Sequence, residues 1–566
     1  MSFGSRVSQR SGRYLAGAIG LLVVLALWSG ATERAAVAQV YPREALLEDA
    51  RQLLAILEDN HPDPYSHGGG KLAFYRRFQD ILQRIPEDGM TQEAFTALLL
   101  PFVAAVGDGH TSIWGGIQLS ETIPRGVPLR FEIVEQLLYV AEVVSAVDRD
   151  LIGSVLISVE GVAVDELRDR QRTVRGLDNE YNELSWLAVS LWYRPYLELL
   201  LPEWTEFGTI HVTLRRPTGE TFERAFRLPI YVHRLHGADT AIETIEAGPY
   251  GFATGFLDAG HTTAILRVED MTGYREVLGR TGSTSGQEVP EHVLAATPSA
   301  TEVFRQLVID MKDAGTRTLL VDLRNDLGGA SLMADILVYF LYGKETLLDV
   351  VTEPIVNGGG QIERMGPLEM KHYTPVELAE VSALQGFPVQ TGDFNVTGHY
   401  DFYVDYAAAM GLTLQGLIET QGQQYLAGSY DDVRDFADEF SAGTYAGYYA
   451  PPDVAVLVSP HTYSSGFTLM LSLATSGATL IGTPSAQAAN CVGEGMFWEL
   501  DHTGIRGLVS HNVYLHCPDD PERGRVWPID VPLTYEYLQS TGFDPNAAVL
   551  LALEWIEAQE PSSDPD

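Results

Sequence analysis

Ser464, His110 and the pair Gly328 and Gly329 are the groups in this sequence best suited to acyl transfer. That chemistry needs a nucleophile, a base titrating near neutral pH, and fixed N–H donors for an oxyanion. A serine hydroxyl, an imidazole and a glycine-rich backbone supply one of each. The three are far apart in the chain, so the fold has to bring them together. Each sits in a glycine-bearing loop that follows a strand or a helix.

The elements that must position them can be read from periodicity. Residues 454–458 are an unbroken apolar run, as suits a strand buried on both faces. Ser459 and Pro460 break it. Apolar residues over 467–474 recur at helical spacing, Gly477 stops that helix, and 479–481 reads as the next strand. Ser464 and Ser465 therefore lie on a strand-to-helix turn, where free N–H groups favour developing negative charge. A serine there can present its hydroxyl at the rim of a sheet as a nucleophile, or it can cap the helix. Two adjacent serines allow both. His461 is a second imidazole near the turn, although a neighbour three positions back rarely points at the same atom. His110 ends the run Val106-Gly107-Asp108-Gly109-His110, beyond a helical stretch. Gly328 and Gly329 follow the buried strand 318–323 and precede a helix over 330–342.

The order of patterns divides the chain. Residues 1–38 read as an export signal: Arg6, Arg10 and Arg13, an apolar run over 15–28, and Ala36-Val37-Ala38 before Gln39. An uncleaved anchor is the alternative, and no other stretch is long and apolar enough to span a bilayer. Residues 39–120 form an N-terminal helical region carrying the His110 loop. Residues 121–235 are β-rich, with a helical stretch at 186–201 interrupted by Pro195. Residues 236–343 and 453–560 alternate strands and helices, which implies a largely parallel sheet with covered faces. Within them 273–298 is polar and reads as a loop. Residues 344–452 have weak periodicity and read as an insertion over the site.

Composition narrows the partners. The formal net charge is −39, from 76 acidic against 37 basic residues, which argues against nucleic acid. Lysine occurs only at Lys71, Lys312, Lys344 and Lys371. Cys491 and Cys517 are a candidate disulfide in an exported chain, with two free buried thiols the alternative. Neither CxxC nor HExxH occurs, so no metal or cofactor is expected.

The pieces Asp108-Gly109-His110-Thr111, Asp322-Leu323-Arg324-Asn325-Asp326-Leu327-Gly328-Gly329, and Thr462-Tyr463-Ser464-Ser465-Gly466 with Leu480-Ile481-Gly482 resemble the tail-specific, or C-terminal processing, serine peptidases and their relative, the tricorn core protease. The stretch from Leu151-Ile152-Gly153 to Gly161-Val162-Ala163-Val164 is similar to the carboxylate-binding-loop region of their PDZ-like module. The resemblance implies an α/β fold with a crotonase- or Clp-protease-like ββα core, an exported enzyme in the periplasm or outside the cell, and a peptide or protein substrate. One style in this family uses a Ser/Lys dyad. No lysine follows Lys371, which argues against that style, and the resemblance implies the tricorn-like one, with a histidine from the N-terminal loop and a glutamate near the C-terminus.

On that resemblance Ser464 attacks the scissile carbonyl and His110 takes its proton. Glu522, matched by its spacing to Val526 and Pro528, orients the imidazole directly or through a hydroxyl. Ser465, Gly328 and Gly329 hold the oxyanion. Gly109 stands where the tricorn relay has a serine, which leaves Asp108 or Thr111 as further candidates for the orienting role. Two other readings remain. An α/β-hydrolase-like esterase would use Ser464 with His502 and Asp501, and His67-Gly68-Gly69-Gly70 as an oxyanion motif. A non-catalytic homologue would keep a peptide- or lipid-binding cleft without turnover.

Overall fold

The computed structural model describes residues 39–114, 126–205, 208–228, 234–285 and 289–559. The expected export signal over 1–38 lies outside the described residues. Among the described residues, no helix is long and apolar enough to cross a membrane.

The sheet that carries Ser464 has six strands in the order Phe252–Phe256, Thr263–Val268, Thr318–Asp322, Asp453–Val458, Thr479–Gly482 and Val531–Pro532. The first pair is antiparallel and the remaining pairs are parallel. Alternation along the strands feeds two cores. Leu319, Val321, Val454, Val456 and Val458 pack with the helices Ala300–Ala314, Leu332–Val356 and Ser465–Thr475. Leu320, Ala455 and Leu457 pack on the other face with Val549 and Ala552 of the helix Ala547–Gln559. Burial on both faces explains the continuous apolar runs at the centre of this sheet, Leu319 to Val321 and Val454 to Val458.

A seven-stranded antiparallel sheet is built from strands between Leu129 and Gly237. It shares a core with the N-terminal helices Arg43–Asn60, Gly70–Arg84 and Gln92–Ala104. The helical stretch at 186–201 is two helices, Glu180–Trp192 and Arg194–Leu200, the second carrying Pro195 in its first turn. Proline is tolerated there because that N–H needs no helical partner. A third sheet joins distant parts of the chain: Arg506–Leu515 pairs with Asn490–Glu499, Gly360–Arg364 and Ser112–Trp114.

One expectation fails locally. Residues 273–298 are not a loop but hold the helices Arg275–Ser285 and Glu291–Ala296. One of the polar residues serves a cap: buried Glu276 accepts from Ser299 Oγ, Ala300 N and Thr301 N at the start of the helix Ala300–Ala314. The helix expected over 330–342 begins at Leu332 and breaks at Gly343, φ 89°, beyond which a second helical segment continues to Val356. Residues 344–452 are largely helical, and Leu426, Tyr430, Phe436 and Phe440 are part of the main core.

Candidate active site

Ser464 stands between the strand Asp453–Val458 and the helix Ser465–Thr475, with φ 53° and ψ −124°. A positive φ is uncommon for a residue with a Cβ and costs on the order of 1–3 kcal/mol, so the surroundings must enforce it. They do. Ser464 N donates to Gln487 Oε1 at 2.6 Å, and Tyr463 N donates to Asp326 O at 2.9 Å. Thr462 Oγ1 donates to Leu323 O at 2.8 Å, and Ser465 Oγ to Gly329 O at 2.6 Å. The loop after Thr318–Asp322 is thus laced to the turn holding Ser464. Ser464 Oγ has no hydrogen-bond partner among the described residues, and neither is its side chain a helix cap.

Gly328 and Gly329 lie against that turn, at φ 98° and 142°. A Cβ on Gly328 would fall 2.7 Å from Ser464 Cβ and 2.7 Å from Ser465 N, so only glycine leaves this space open. The Gly328 N–H is already given to Asp326 Oδ1 at 2.9 Å. The N–H groups of Ser465 and Gly329 have no acceptor among the described residues and are free to meet an oxyanion. Asp326 is buried, and its Oδ2 has no partner. Burial, opposed by the Gly328 N–H and reinforced by Asp270 and Glu269, pushes its carboxyl up to about 7.

His110 reaches the turn through Tyr463. The two rings stack with centroids 4.9 Å apart, and His110 Nδ1 is 3.4 Å from Tyr463 Oη. Tyr463 Oη donates to Asp178 Oδ2 at 2.6 Å, and Asp178 Oδ1 accepts from Gly109 N at 2.8 Å. This chain fixes a tautomer. A tyrosine whose proton goes to a carboxylate can only accept from His110, so the imidazole proton sits on Nδ1 and the Nε2 lone pair is available as a base. Enclosure raises the Asp178 pKa even though His110, Tyr463 and Gly109 favour its charged form. Ser464 Oγ and the His110 ring are not hydrogen-bonded to each other.

Asp108 organises the loop rather than the ring. Its Oδ1 accepts from His110 N, Thr111 N and Ser510 Oγ, and its Oδ2 meets His61 Nε2 at 2.9 Å. Burial raises its pKa, but His61, Thr111 and Ser510 outweigh it and hold the carboxyl below the usual range. Thr111 Oγ1 is turned to Ser510, at 3.3 Å.

Glu522 is not brought to His110. Its side chain is 88% exposed and pairs with Arg525 at 3.5 Å, on the short helix Pro521–Arg525. Asp178, Tyr463 and Gln487 are the residues missed from sequence. Asp178 sits just before the Asn179 cap of the helix Glu180–Trp192, and locally it reads only as capping material. Tyr463 could have been found by its position beside the serine.

The rival residues go elsewhere. His502 Nε2 meets Glu48 at 2.7 Å and its backbone binds Asp49; Asp501 binds Gln52. Both are tied to the helix Arg43–Asn60, so the esterase triad is not formed. His67 packs on Gly107, between helices, as a Cβ there would strike its ring. His461 has both ring nitrogens engaged, with Glu132 at 3.2 Å and Ser185 at 3.5 Å. Cys491 and Cys517 are free thiols. Asn490 holds the Cys517 backbone through 2.7 and 2.8 Å hydrogen bonds, and strand alternation turns the next residue, Cys491, to the opposite face.

No protein-family model matches the sequence, and no curated protein matches it. Solved structures match the fold. Mature CPAF is similar at a TM-score of 0.50 and 14% identity, over 92% of this chain and 99% of that one. Mature CPAF complexed with lactacystin gives 0.50 and 14%, over 91% and 98%. The photosystem II D1 C-terminal processing protease is a more distant likeness, with a TM-score of 0.35 and 13% identity over 88% and 94%. The CPAF matches, at this identity, define a shared mixed α/β fold.

Proposed function

We propose that this chain is a serine-type peptidase with Ser464 as nucleophile and His110 as general base. The observation that carries the reading is the Ser464 turn: a strained serine, with an unpartnered hydroxyl, facing glycine backbone and next to a tyrosine that orients an imidazole. His110 Nε2 takes the Ser464 proton as Oγ attacks the scissile carbonyl. The N–H groups of Ser465 and Gly329 hold the oxyanion, and Gly328 contributes open space and, once Asp326 releases it, its own N–H. The proton passes from His110 to the leaving amine, and water then hydrolyses the acyl-enzyme by the reverse relay. Tyr463 and Asp178 are positioning residues, in the role expected of Glu522.

The same proposal reads the six-stranded sheet as a crotonase- or Clp-protease-like core and residues 121–235 as a PDZ-like module. It assigns the chain to the tricorn-like style without a catalytic lysine. In support, Lys71, Lys312 and Lys344 are spent over the rings of Tyr65, Tyr448 and Phe440. The substrate is a peptide or protein, met in the periplasm or outside the cell.

Fluorophosphonate labelling tests the reading. Wild type should label at Ser464, and Ser464→Ala and His110→Ala should lose labelling and peptide hydrolysis by about 10^4-fold or more. A folded wild type that never labels points to a binding scaffold. Loss in His502→Ala alone would restore the esterase.

A further inference from the structure

Away from Ser464, three side chains that the proposed chemistry does not use converge in the interior. Glu363 lies on the strand Gly360–Arg364, Glu369 on the turn Glu369–His372, and His511 on the strand Arg506–Leu515. All three are buried. One ligand atom from each lies within 4.8 Å of the others. His511 Nε2 is 3.5 Å from Glu369 Oε2 and 3.7 Å from Glu363 Oε1.

The hydrogen bonds around them leave one set of atoms unserved. Glu363 Oε2 accepts from Tyr373 Oη at 3.0 Å and Asn395 Nδ2 at 2.9 Å, but Glu363 Oε1 has no donor. His511 Nδ1 is bonded to the backbone carbonyl of Glu494. A carbonyl only accepts, so Nδ1 carries the proton and the Nε2 lone pair faces the two carboxylates. Two buried carboxylates and a lone pair directed at one point repel unless a cation or a shared proton lies between them. A backbone carbonyl behind the imidazole is also the usual way a metal-binding histidine is held.

We propose that Glu363, Glu369 and His511 bind a divalent transition-metal ion, Zn2+, that fastens the 344–452 segment to the sheet behind the His110 loop. Tetrahedral zinc with bonds of about 2.0–2.2 Å sets its ligands about 3.3–3.6 Å apart, close to the two spacings seen here. Two carboxylates and a neutral imidazole exactly offset a charge of two, as a buried site requires. The imidazole disfavours Ca2+ and Mg2+, which prefer all-oxygen shells. No metal motif shows in the sequence because Glu363 and Glu369, six positions apart, meet a histidine that follows 142 positions later on another strand. The ion would be structural in effect. His511 follows Ser510, which holds Asp108 Oδ1 at 2.8 Å, and the strand carrying both pairs with Ser112–Trp114.

Metal binding by the full chain tests this without reference to turnover. Purified protein, stripped and refolded with Co2+, should hold about one equivalent with the intense visible bands of a four-coordinate site, displaced by Zn2+. Zn2+ in excess should raise the Tm of wild type by several degrees, and should leave Glu369→Gln and His511→Ala unmoved. Circular dichroism separates loss of binding from loss of fold. Should both variants fail to fold, the wild-type stoichiometry decides alone. The proposal is overturned if folded wild type takes up neither ion after refolding. It is equally overturned if Glu369→Gln binds Co2+ as wild type does. A carboxyl pair that merely shares a proton would give the first of these results.

Discussion

The direction of the hydrogen bonds from Asp178 to His110 can be reversed by a single atom. In wild type the carboxylate forces Tyr463 to donate away from His110, which leaves Nε2 free. In Asp178→Asn the amide oxygen keeps the Gly109 N–H, so the NH2 group takes the place of Oδ2 and donates to Tyr463. Tyr463 must then donate to His110 Nδ1, and the imidazole proton moves to Nε2. Recovering the competent tautomer means breaking a hydrogen bond, at about 1.5–3 kcal/mol, or about 10–100-fold in rate. Tyr463→Phe removes the hydroxyl without imposing the wrong tautomer. It loses orientation through a 3.4 Å contact, and the expected cost is about 10–100-fold. Asp178→Asn also removes the carboxylate charge that attracts the imidazolium formed as Ser464 loses its proton, about 10–100-fold more, so it should lose about 10^2–10^4-fold in all and be the worse of the two. The assay is the second-order rate of fluorophosphonate labelling at Ser464, with kcat/KM on a fluorogenic peptide once one is found, and Tm as the fold control. If Asp178→Asn labels as fast as Tyr463→Phe, the inferred polarity is wrong.

Gly328→Ala should lose labelling by more than about 100-fold and lower stability by about 1–3 kcal/mol, since its Cβ would sit 2.7 Å from Ser464 Cβ at a positive φ; full-rate labelling would refute it. Glu522→Gln should change the labelling rate by less than about fivefold, as an exposed ion pair is worth about 0–1 kcal/mol; a larger fall would return this glutamate to the site. Asp326 has a folded pKa of about 7, above the unfolded carboxylate. Its stabilisation is complete below about pH 4 and is lost as pH rises through 7. Asp326→Asn should thus be the more stable protein at pH 8, by up to about 4 kcal/mol, and lose that advantage at pH 4 in urea titrations. Parallel pH profiles for the two proteins would contradict the assignment.

The strands of the parallel sheet were readable because burial on both faces leaves a continuous apolar run, as at 454–458, and the turn with Ser464 follows from where that run stops. The elements near 273–298 were not, because Glu276, Ser299 and Thr301 look like loop residues until their capping partners are seen. Among the site groups, Ser464, His110, Gly328 and Gly329 carried local marks: a turn, a glycine-rich loop, a pair of glycines. Asp178 carried none. Its role rests on Tyr463, 285 positions later, and no periodicity encodes that meeting. Glu522 had the right spacing to its neighbours, but its carboxylate points to solvent and Arg525.

The strand Ser112–Trp114 completes a sheet whose other members are drawn from beyond residue 359. A ribosome therefore releases the imidazole loop long before the hairpin that braces it exists. Until that late hairpin closes, the early loop lacks its strand partner and the serine turn lacks Gln487. On the proposed mechanism a nascent or unfolded polypeptide would be inert, and competence would arrive only as the last third docks.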